Sequence, residues 1–228
     1  MMTSHTNKDF EQELRTLRDR LCAMGGRCEQ QIVRAMEALE ERDVTLAKNV
    51  IAADHEIDQD EIDCDELALQ ILATRQPVAS DLRLITMALK LVTDLERIGD
   101  LAAGIAKRAI ELNPLPRLEP SVDLNPLSAL VQKNLHAALD AFVAKNADQA
   151  TAVIEADRNI DKLNASLFAE LLAHVATDPA SVTRVLPLTS VCKYLERIGD
   201  HIKNLAESVV YMVKATDVRH RPLPKPAN

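Results

Sequence analysis

The chain contains the same six-residue sequence, LERIGD, at two places one hundred positions apart. The first copy is residues 95–100 and the second is residues 195–200. Two further related segments lie upstream, VIAADHEID at 50–58 and VIEADRNID at 153–161. Related segments that recur in the same order are typical of a duplicated structural unit. We therefore expect the chain to fold as two similar halves.

The amino-acid composition favours an all-α fold. Of the 228 residues, 47% are apolar, which is enough to bury a core, but only 2% are aromatic and Trp is absent. A core rich in Ala and Leu suits helices better than a β-sandwich, in which β-branched and aromatic residues prevail. The formal net charge of −8 argues against nucleic acid as the main ligand, because phosphate backbones attract an excess of Lys and Arg.

The cysteines and the N-terminal segment indicate a cytoplasmic protein. Cys22, Cys28, Cys64 and Cys192 match neither a Cys-x-x-Cys motif nor a small disulfide framework, so we expect free thiols in a reducing compartment. Residues 1–9 are polar and lack the apolar stretch of a signal peptide. No segment approaches the roughly 18 apolar residues of a membrane span, so the protein is not expected to be embedded in a membrane.

Turn and capping signals divide the sequence into six predicted helices. Apolar periodicity and Pro punctuation place them at about 10–41, 43–74, 79–112, 127–145, 148–175 and 181–215. A segment with four prolines separates the third helix from the fourth and cannot continue either of them. The predicted architecture is two tandem three-helix bundles, 8–112 and 127–215, with a Pro-rich linker at 113–126 and a disordered tail at 216–228.

Acidic residues interrupt the apolar seams of four of these helices. Each half has two acid-x-x-x-acid pairs, and an i, i+4 spacing places both carboxylates on one helix face. In an antiparallel hairpin, residues with the same mean number lie side by side. The acids of each half share such a mean, and it falls at a turn. We therefore expect four carboxylates to meet at one level in each hairpin: Asp54, Asp58, Glu96 and Asp100 in the first, and Asp157, Asp161, Glu196 and Asp200 in the second.

Carboxylates gathered in a partly apolar seam need to be neutralised. At about 6 Å and an effective dielectric constant of about 20, one like-charged pair costs roughly 3 kcal/mol. Because no basic partner is expected on the same seams, the acids predict bound cations, and oxygen ligands favour hard ions such as Mg²⁺, Mn²⁺, Ca²⁺ or iron. Gly99 and Gly199 leave room on the same face for an ion, a water or an anion. The alternative is a set of ordinary solvated carboxylates.

Basic residues beside the acids are not expected to bind the cations or to replace them. Arg97 and Arg197 each follow a site glutamate, and consecutive helix positions point about 100° apart. His55 and His201 each lie next to a site aspartate. We expect both histidines to be exposed or to support the ligands from outside.

The motifs of this chain resemble the PhoU family of phosphate-signalling proteins over about residues 8–215. The resemblance rests on the two LERIGD segments, on HIKNLAE at 201–207 and on QPVASDLR at 76–83. It implies two three-helix bundles whose eight acids, named above, hold multinuclear clusters of Mg, Mn, Fe or Zn. It also implies a homodimeric regulator that acts with the ATPase of a phosphate ABC transporter and with a sensor histidine kinase. Such a regulator represses the phosphate-starvation response when phosphate is plentiful.

Two other functions stay open at this point. A ferritin-like di-iron enzyme also gathers carboxylates in a helical bundle, but that class needs Glu-x-x-His on two helices. No Glu stands three residues before any of the six histidines of this chain, and there is no Walker loop or nucleophile elbow. A purely structural helical bundle is the third interpretation. A non-enzymatic regulator is the one that the sequence favours.

Overall fold

The computed structural model describes residues 3–219, and this part of the chain folds into α-helices without any β-strand. The six long helices are α1 (Thr3–Glu41), α2 (Val44–Arg75), α3 (Ala79–Leu112), α4 (Asn125–Ala144), α5 (Ala147–Thr177) and α6 (Val182–Lys214). A short 3-10 helix at Pro179–Ser181 precedes α6. The all-α prediction is confirmed.

Local capping chemistry sets the starts of the helices. The Asp43 side chain accepts hydrogen bonds from the main-chain nitrogens of Thr45 and Leu46 at 2.8 and 2.9 Å, as expected for the N-cap of α2. α4 begins at Asn125, two residues before its predicted start. The reason is that Pro126 lies in the first turn, where a missing N–H group costs no helical hydrogen bond.

α1 is longer than predicted and passes close to α4. It begins at Thr3 rather than at about Phe10, and it continues through two adjacent glycines. A Cβ atom added at Gly25 would lie 2.5 Å from Cδ2 of Leu139 on α4. A Cβ atom added at Gly26 would have no neighbour within 4 Å. Only the first of these glycines is therefore needed for the close approach of the two helices.

The first three helices pack as one bundle and the last three as a second bundle. The bundles meet through α3 against α6 and through α1 against α4. α3 contacts both bundles because it carries two apolar stripes rather than one. Its buried side chains include Leu84, Leu91, Leu95, Ile98 and Ile105. The predicted pair of tandem three-helix bundles is confirmed, and one continuous apolar core joins them.

Equivalent positions of the two halves contact each other across the α3–α6 interface. Tyr194 packs on Gly104, where an added Cβ atom would lie 3.2 Å from Cε2 of the ring. The corresponding contact joins Asp94 of the first half to the second half. Asp94 Oδ1 accepts a hydrogen bond from Nδ2 of Asn204 at 3.1 Å and lies 2.8 Å from Nδ1 of His201. Positions 94 and 194 correspond, as do 104 and 204. The duplicated sequence therefore gives the interface an approximate twofold symmetry.

The linker is held against the ends of the helices that it joins. Leu118 and Leu124 are buried in the core. The guanidinium group of Arg42, just after α1, donates hydrogen bonds to the main-chain carbonyls of Leu112 and Leu115. These carbonyls lie at and beyond the end of α3, and the Leu112 carbonyl also accepts a hydrogen bond from the main-chain nitrogen of Leu115 at 3.1 Å. The linker is thus fixed to α1 by side-chain as well as apolar contacts.

Three further predictions concern the cysteines, membrane spans and the C-terminal tail. All four cysteines are free thiols, as predicted. Within the described residues, no helix is both long enough and apolar enough to cross a membrane. Of the predicted tail, residues 216–219 are not helical, and residues 220–228 lie outside the described part of the chain.

Candidate functional site

The first hairpin brings its four predicted acids together. Asp54 and Asp58 lie on α2, and Glu96 and Asp100 lie on α3. Burial, followed by the negative charges of Asp100 and Asp58, raises the pKa of Asp54 from 3.8 to about 6. Burial and Asp100 also raise the pKa of Glu96. Such mutual repulsion requires the carboxylates of the two helices to lie close together. We call these residues the first acid set.

The second hairpin repeats this arrangement on α5 and α6. Burial raises the pKa of Glu196, and the charges of Asp200, Asp161 and Asp157 raise it further. Burial and Asp157 raise the pKa of Asp200 in the same way. These four residues form the second acid set. The eight predicted acids therefore lie in two groups, one in each bundle.

The first acid set contains a carboxylate oxygen that lacks a hydrogen-bond partner. Asp54 Oδ1 is buried and accepts no hydrogen bond from the described residues. The nearby Gln31 amide opposes the rise in the pKa of Asp54, but its own nitrogen and oxygen are also without a hydrogen bond. A buried polar atom without a partner destabilises the folded state. A cation or a proton at Asp54 would remove this cost.

Gly99 and Gly199 allow the helices of each hairpin to pack closely. A Cβ atom at Gly99 would lie 2.9 Å from Ile57 Cδ1 and 3.1 Å from Asp54 Oδ1. At Gly199 the equivalent isoleucine and aspartate of α5 would lie 2.9 and 3.5 Å away. The space that the sequence suggests for an ion is therefore occupied by isoleucine. The glycines instead bring an aspartate of one helix against the backbone of the other.

The prediction that Arg97 points away from the site acids is wrong. Its guanidinium group lies 3.3 Å from Glu96 Oε2 and donates a hydrogen bond to Asp100 Oδ2 at 3.1 Å. The long side chain can bend back across the angle between consecutive helix positions. Because Arg97 is 54% exposed, each ion pair contributes at most about 1 kcal/mol. Arg197, in contrast, forms no ion pair with a described residue.

In the second acid set, a lysine neutralises the buried aspartate. Lys203 Nζ donates a hydrogen bond to Asp157 Oδ2 at 2.9 Å, and Asp157 is only 4% exposed. The expectation that no basic residue shares the seam with the acids is therefore wrong in the second half. Lys203 lies one helical turn after Gly199, and its flexible stem carries the ammonium group to the aspartate. The corresponding residue of the first half is Ala103.

A further acid, Glu61, lies beside the first acid set and is not among the predicted site residues. It raises the pKa of Glu96, and its Oε1 accepts a hydrogen bond from Thr93 at 3.2 Å. Its i, i+3 spacing from Asp58 places both residues on one face of α2, which is the signal that indicates it. The corresponding residue of the second half is Asn164, whose Oδ1 is buried without a partner. The first half thus has one more carboxylate, and its positive charges come from Arg97 and from Lys107, whose charge opposes the rise in the pKa of Asp54.

The two histidines make their contacts outside the acid sets. His55 is exposed, and its Nδ1 contacts the main-chain oxygen of Ala52. His201 contacts Asp94 of the other bundle, although its charge opposes the rise in the pKa of Asp200. The two sets therefore offer oxygen atoms, rather than imidazole nitrogens, to a ligand.

Oxygen donors and the unpartnered Asp54 Oδ1 fit a hard cation such as Mg²⁺ or Mn²⁺. The acids are gathered but do not form a closed ligand set. Among the described residues, no three Asp, Glu, His or Cys side chains are arranged around a common point as metal ligands. Asp58 and Asp100 are exposed, so their side chains can rotate towards a cation.

Comparison with known sequences identifies relatives along both bundles. The family model described as the PhoU domain matches residues 21–109 and 124–209. The chain is 43% identical over 222 residues to the phosphate-specific transport system accessory protein PhoU homolog of Pseudomonas aeruginosa. The alignment covers 96% of this chain and 91% of that relative. It is 34% identical over 219 residues to the phosphate-specific transport system accessory protein PhoU of Escherichia coli, with 96% and 91% covered.

Solved structures share the same arrangement of helices. The crystal structure of PhoU from Pseudomonas aeruginosa matches with a TM-score of 0.87 and 42% identity, covering 91% of this chain and 100% of that one. The phosphate transport system regulatory protein PhoU from Streptococcus pneumoniae matches with a TM-score of 0.85 and 29% identity, covering 92% and 99%. Each match covers more than nine-tenths of this chain and therefore extends over both bundles.

Proposed function

This chain belongs to the PhoU family, and we propose that it regulates phosphate uptake and phosphate-starvation signalling. In this role it links the ATPase of a phosphate ABC transporter to a sensor histidine kinase and represses the response when phosphate is plentiful. The observation that carries the proposal is the family match in both bundles, over nearly the whole chain. Relatives named as accessory and regulatory proteins of phosphate transport support it.

The proposed regulator acts through protein contacts in the cytoplasm, as a homodimer, and not as an enzyme. The two histidines next to the site aspartates contact Ala52 and Asp94, which does not favour a di-iron enzyme with Glu-x-x-His ligands. Arg197 is a candidate contact for a partner, because it is exposed and has no ion pair with a described residue. Its guanidinium group is suited to bind a partner carboxylate through two hydrogen bonds.

The two acid sets are the proposed binding sites for divalent or trivalent cations. In the first, Asp54, Asp58, Glu96 and Asp100 would hold the ions, and the buried oxygen of Asp54 supports this assignment. In the second, the ligands would be the four corresponding acids, of which Asp157 already has Lys203 as a partner. Bound cations supply positive charge that joins one helix of a hairpin to the other. We expect the first set to depend on cations more strongly than the second.

Deleting the gene for this chain tests the regulatory role. Phosphate-starvation genes should then be expressed in phosphate-rich medium, and a plasmid copy should restore repression. Normal repression in a deletion strain that has no paralogue would contradict the proposal. Complementation with a variant that lacks the acids of the first set separates the regulatory role from cation binding. Repression by this variant would show that regulation does not require the cations of the first set.

Partner contact is tested by titrating the purified protein with the transporter ATPase and with the kinase. Arg197→Glu should weaken the binding of a partner by about 1 to 3 kcal/mol, as is typical of interface charges. Arg97→Glu is the comparison, since Arg97 already contacts two acids of its own helix. Unchanged affinity of both variants for both partners would place recognition on another surface.

A further inference from the structure

A cavity of about 450 Å³ lies where the linker meets both bundles. Its walls come from the ends of α1 and α3, the linker, and the starts of α4 and α6. Three arginines line it, namely Arg42, Arg117 and Arg184. None of the eight site acids contributes to the lining. We call this feature the arginine cavity. It gathers positive charge in a chain whose net charge is −8.

Two of the three guanidinium groups have no carboxylate partner among the described residues. Arg42 donates its hydrogen bonds to the main-chain carbonyls of Leu112 and Leu115. Arg117 Nη2 donates to the main-chain oxygen of Glu40 at 2.9 Å. Carbonyl oxygens accept hydrogen bonds from only one nitrogen of each group, Nη1 of Arg42 and Nη2 of Arg117, and leave both positive charges uncancelled. Burial, and then the charge of Arg117, lowers the pKa of Arg42, as expected for two cations that repel each other.

The two carboxylates in the lining are bonded to Asn125 at the start of α4. Asp123 Oδ1 accepts a hydrogen bond from the Asn125 main-chain nitrogen at 3.0 Å, and Glu40 Oε1 accepts one from Asn125 Nδ2 at 3.3 Å. The third arginine, Arg184, lies 3.3 Å from Asp178, whose side chain is 58% exposed. The Arg184 side chain is 18% exposed, so solvent reaches the ion pair mainly from the aspartate and weakens it without abolishing it. Arg184 therefore also retains charge for a ligand.

We propose that the arginine cavity binds a phosphoryl-type oxyanion, either inorganic phosphate or the phosphate group of a small metabolite. The guanidinium fork donates paired hydrogen bonds to such oxygens, and an anion between Arg42 and Arg117 relieves their repulsion. The start of α4 borders the same cavity and adds the partial positive charge of a helix N-terminus. This inference depends neither on the cation sites nor on the partner contacts proposed above.

A bound anion would connect segments that belong to different bundles. Arg42 follows α1 of the first bundle, Arg117 lies in the linker, and Arg184 lies on α6 of the second bundle. Occupancy of the arginine cavity therefore stabilises the present arrangement of the linker against both bundles. Phosphate should raise the melting temperature of the protein as it binds.

Isothermal titration of the full-length protein with inorganic phosphate tests the proposal. The protein is first freed of divalent cations, so that phosphate cannot bind through ions held by the acid sets. We expect saturable binding in the millimolar range or tighter. Arg117→Gln should weaken it about tenfold or more, because charge-assisted hydrogen bonds are lost. Arg158→Gln is the matched control, since Arg158 is exposed on α5 and does not line the cavity.

A parallel titration with a nucleoside monophosphate identifies the source of the phosphoryl group. Tighter binding of inorganic phosphate supports the free ion, and tighter binding of the nucleotide supports a metabolite. Arg184→Gln serves as the second variant if circular dichroism shows that Arg117→Gln does not fold. The proposal is overturned if neither compound binds saturably, or if the folded cavity variant binds as tightly as wild type and as Arg158→Gln.

Discussion

Replacing Lys203 with Met tests whether the second acid set is neutralised from within the protein. Met keeps an apolar stem and removes the ammonium group that lies 2.9 Å from Asp157 Oδ2. Breaking a fully buried ion pair typically destabilises a protein by about 3 to 5 kcal/mol. The Lys203 side chain is 38% exposed, so solvent screening lowers the expected loss to about 1 to 3 kcal/mol. For a chain of this size, the melting temperature should fall by roughly 2 to 12 °C.

A divalent cation should restore much of this lost stability. A cation that binds only the folded protein stabilises it by about 2.7 kcal/mol when its concentration is a hundred times the Kd. In wild type, Mn²⁺ should act mainly at the first acid set. In Lys203→Met, it should act at both sets. We therefore expect Mn²⁺ to raise the melting temperature of the variant more than that of wild type, and elemental analysis to find more bound metal.

Two further variants make the comparison specific to the seam. Ala103→Lys places an ammonium group at the corresponding position of the first half and should reduce the response to Mn²⁺. Ala103 is buried, so circular dichroism must show that this variant folds. Arg197→Met is the control, because it removes a positive charge that forms no ion pair with a described residue. If Lys203→Met and wild type bind the same amount of metal and respond equally to Mn²⁺, Lys203 is not the counter-ion of this set.

The first acid set should make the metal-free protein more stable at mildly acidic than at neutral pH. The pKa of Asp54 is raised from 3.8 to about 6, so the folded protein holds a proton more tightly than the unfolded chain. The free energy of unfolding should therefore fall by about 1 to 2 kcal/mol, allowing for solvent screening, as pH rises through this range. Denaturant titrations should show this slope, and Asp54→Asn should flatten it. Gly99→Ala should destabilise the protein by about 1 to 3 kcal/mol, because the added methyl group would contact an isoleucine. Gly26→Ala is the control, since an added Cβ atom has no neighbour within 4 Å, and it should be neutral or slightly stabilising. Thermal melts in which Gly26→Ala is the less stable variant would contradict the packing argument. Glu96→Ala combined with Asp100→Ala should remove the cations of the first set and spare the second, and unchanged metal content would exclude these residues as ligands.

The helices and the meeting of the acids were predictable because both depend on spacing along the chain. Helical periodicity identifies the seam, and the position of a turn sets which residues of two helices lie opposite each other. Asp54 and Asp100 have a mean residue number of 77, which is the position of Pro77 in the turn. The structure places both carboxylates near each other at that level. A register argument of this kind needs no knowledge of side-chain conformation.

The conformations of long side chains could not be predicted from residue spacing. Helix geometry directs the Cβ atoms of Glu96 and Arg97 apart, yet the guanidinium group reaches the carboxylate because three methylene groups separate it from the Cα atom of Arg97. Gly99 shows the same limit for packing. Its lack of a side chain is evident from the sequence, but the identity of the isoleucine that fills the space follows only from the contact between α2 and α3.

The difference between the two acid sets could, however, have been recognised by comparing the halves position by position. Glu61 corresponds to Asn164, and Ala103 corresponds to Lys203. Each difference makes the second set less negative, one by replacing a carboxylate with an amide and the other by adding an ammonium group. The two changes lie towards opposite ends of the acid set, since Glu61 contacts Thr93 whereas Lys203 contacts Asp157. Lys107, whose charge opposes the rise in the pKa of Asp54, corresponds to Glu207 and is a change of the opposite sign. The first half retains its full set of carboxylates and a buried oxygen at Asp54 that accepts no hydrogen bond from a described residue. The first acid set is therefore the one that needs a bound cation.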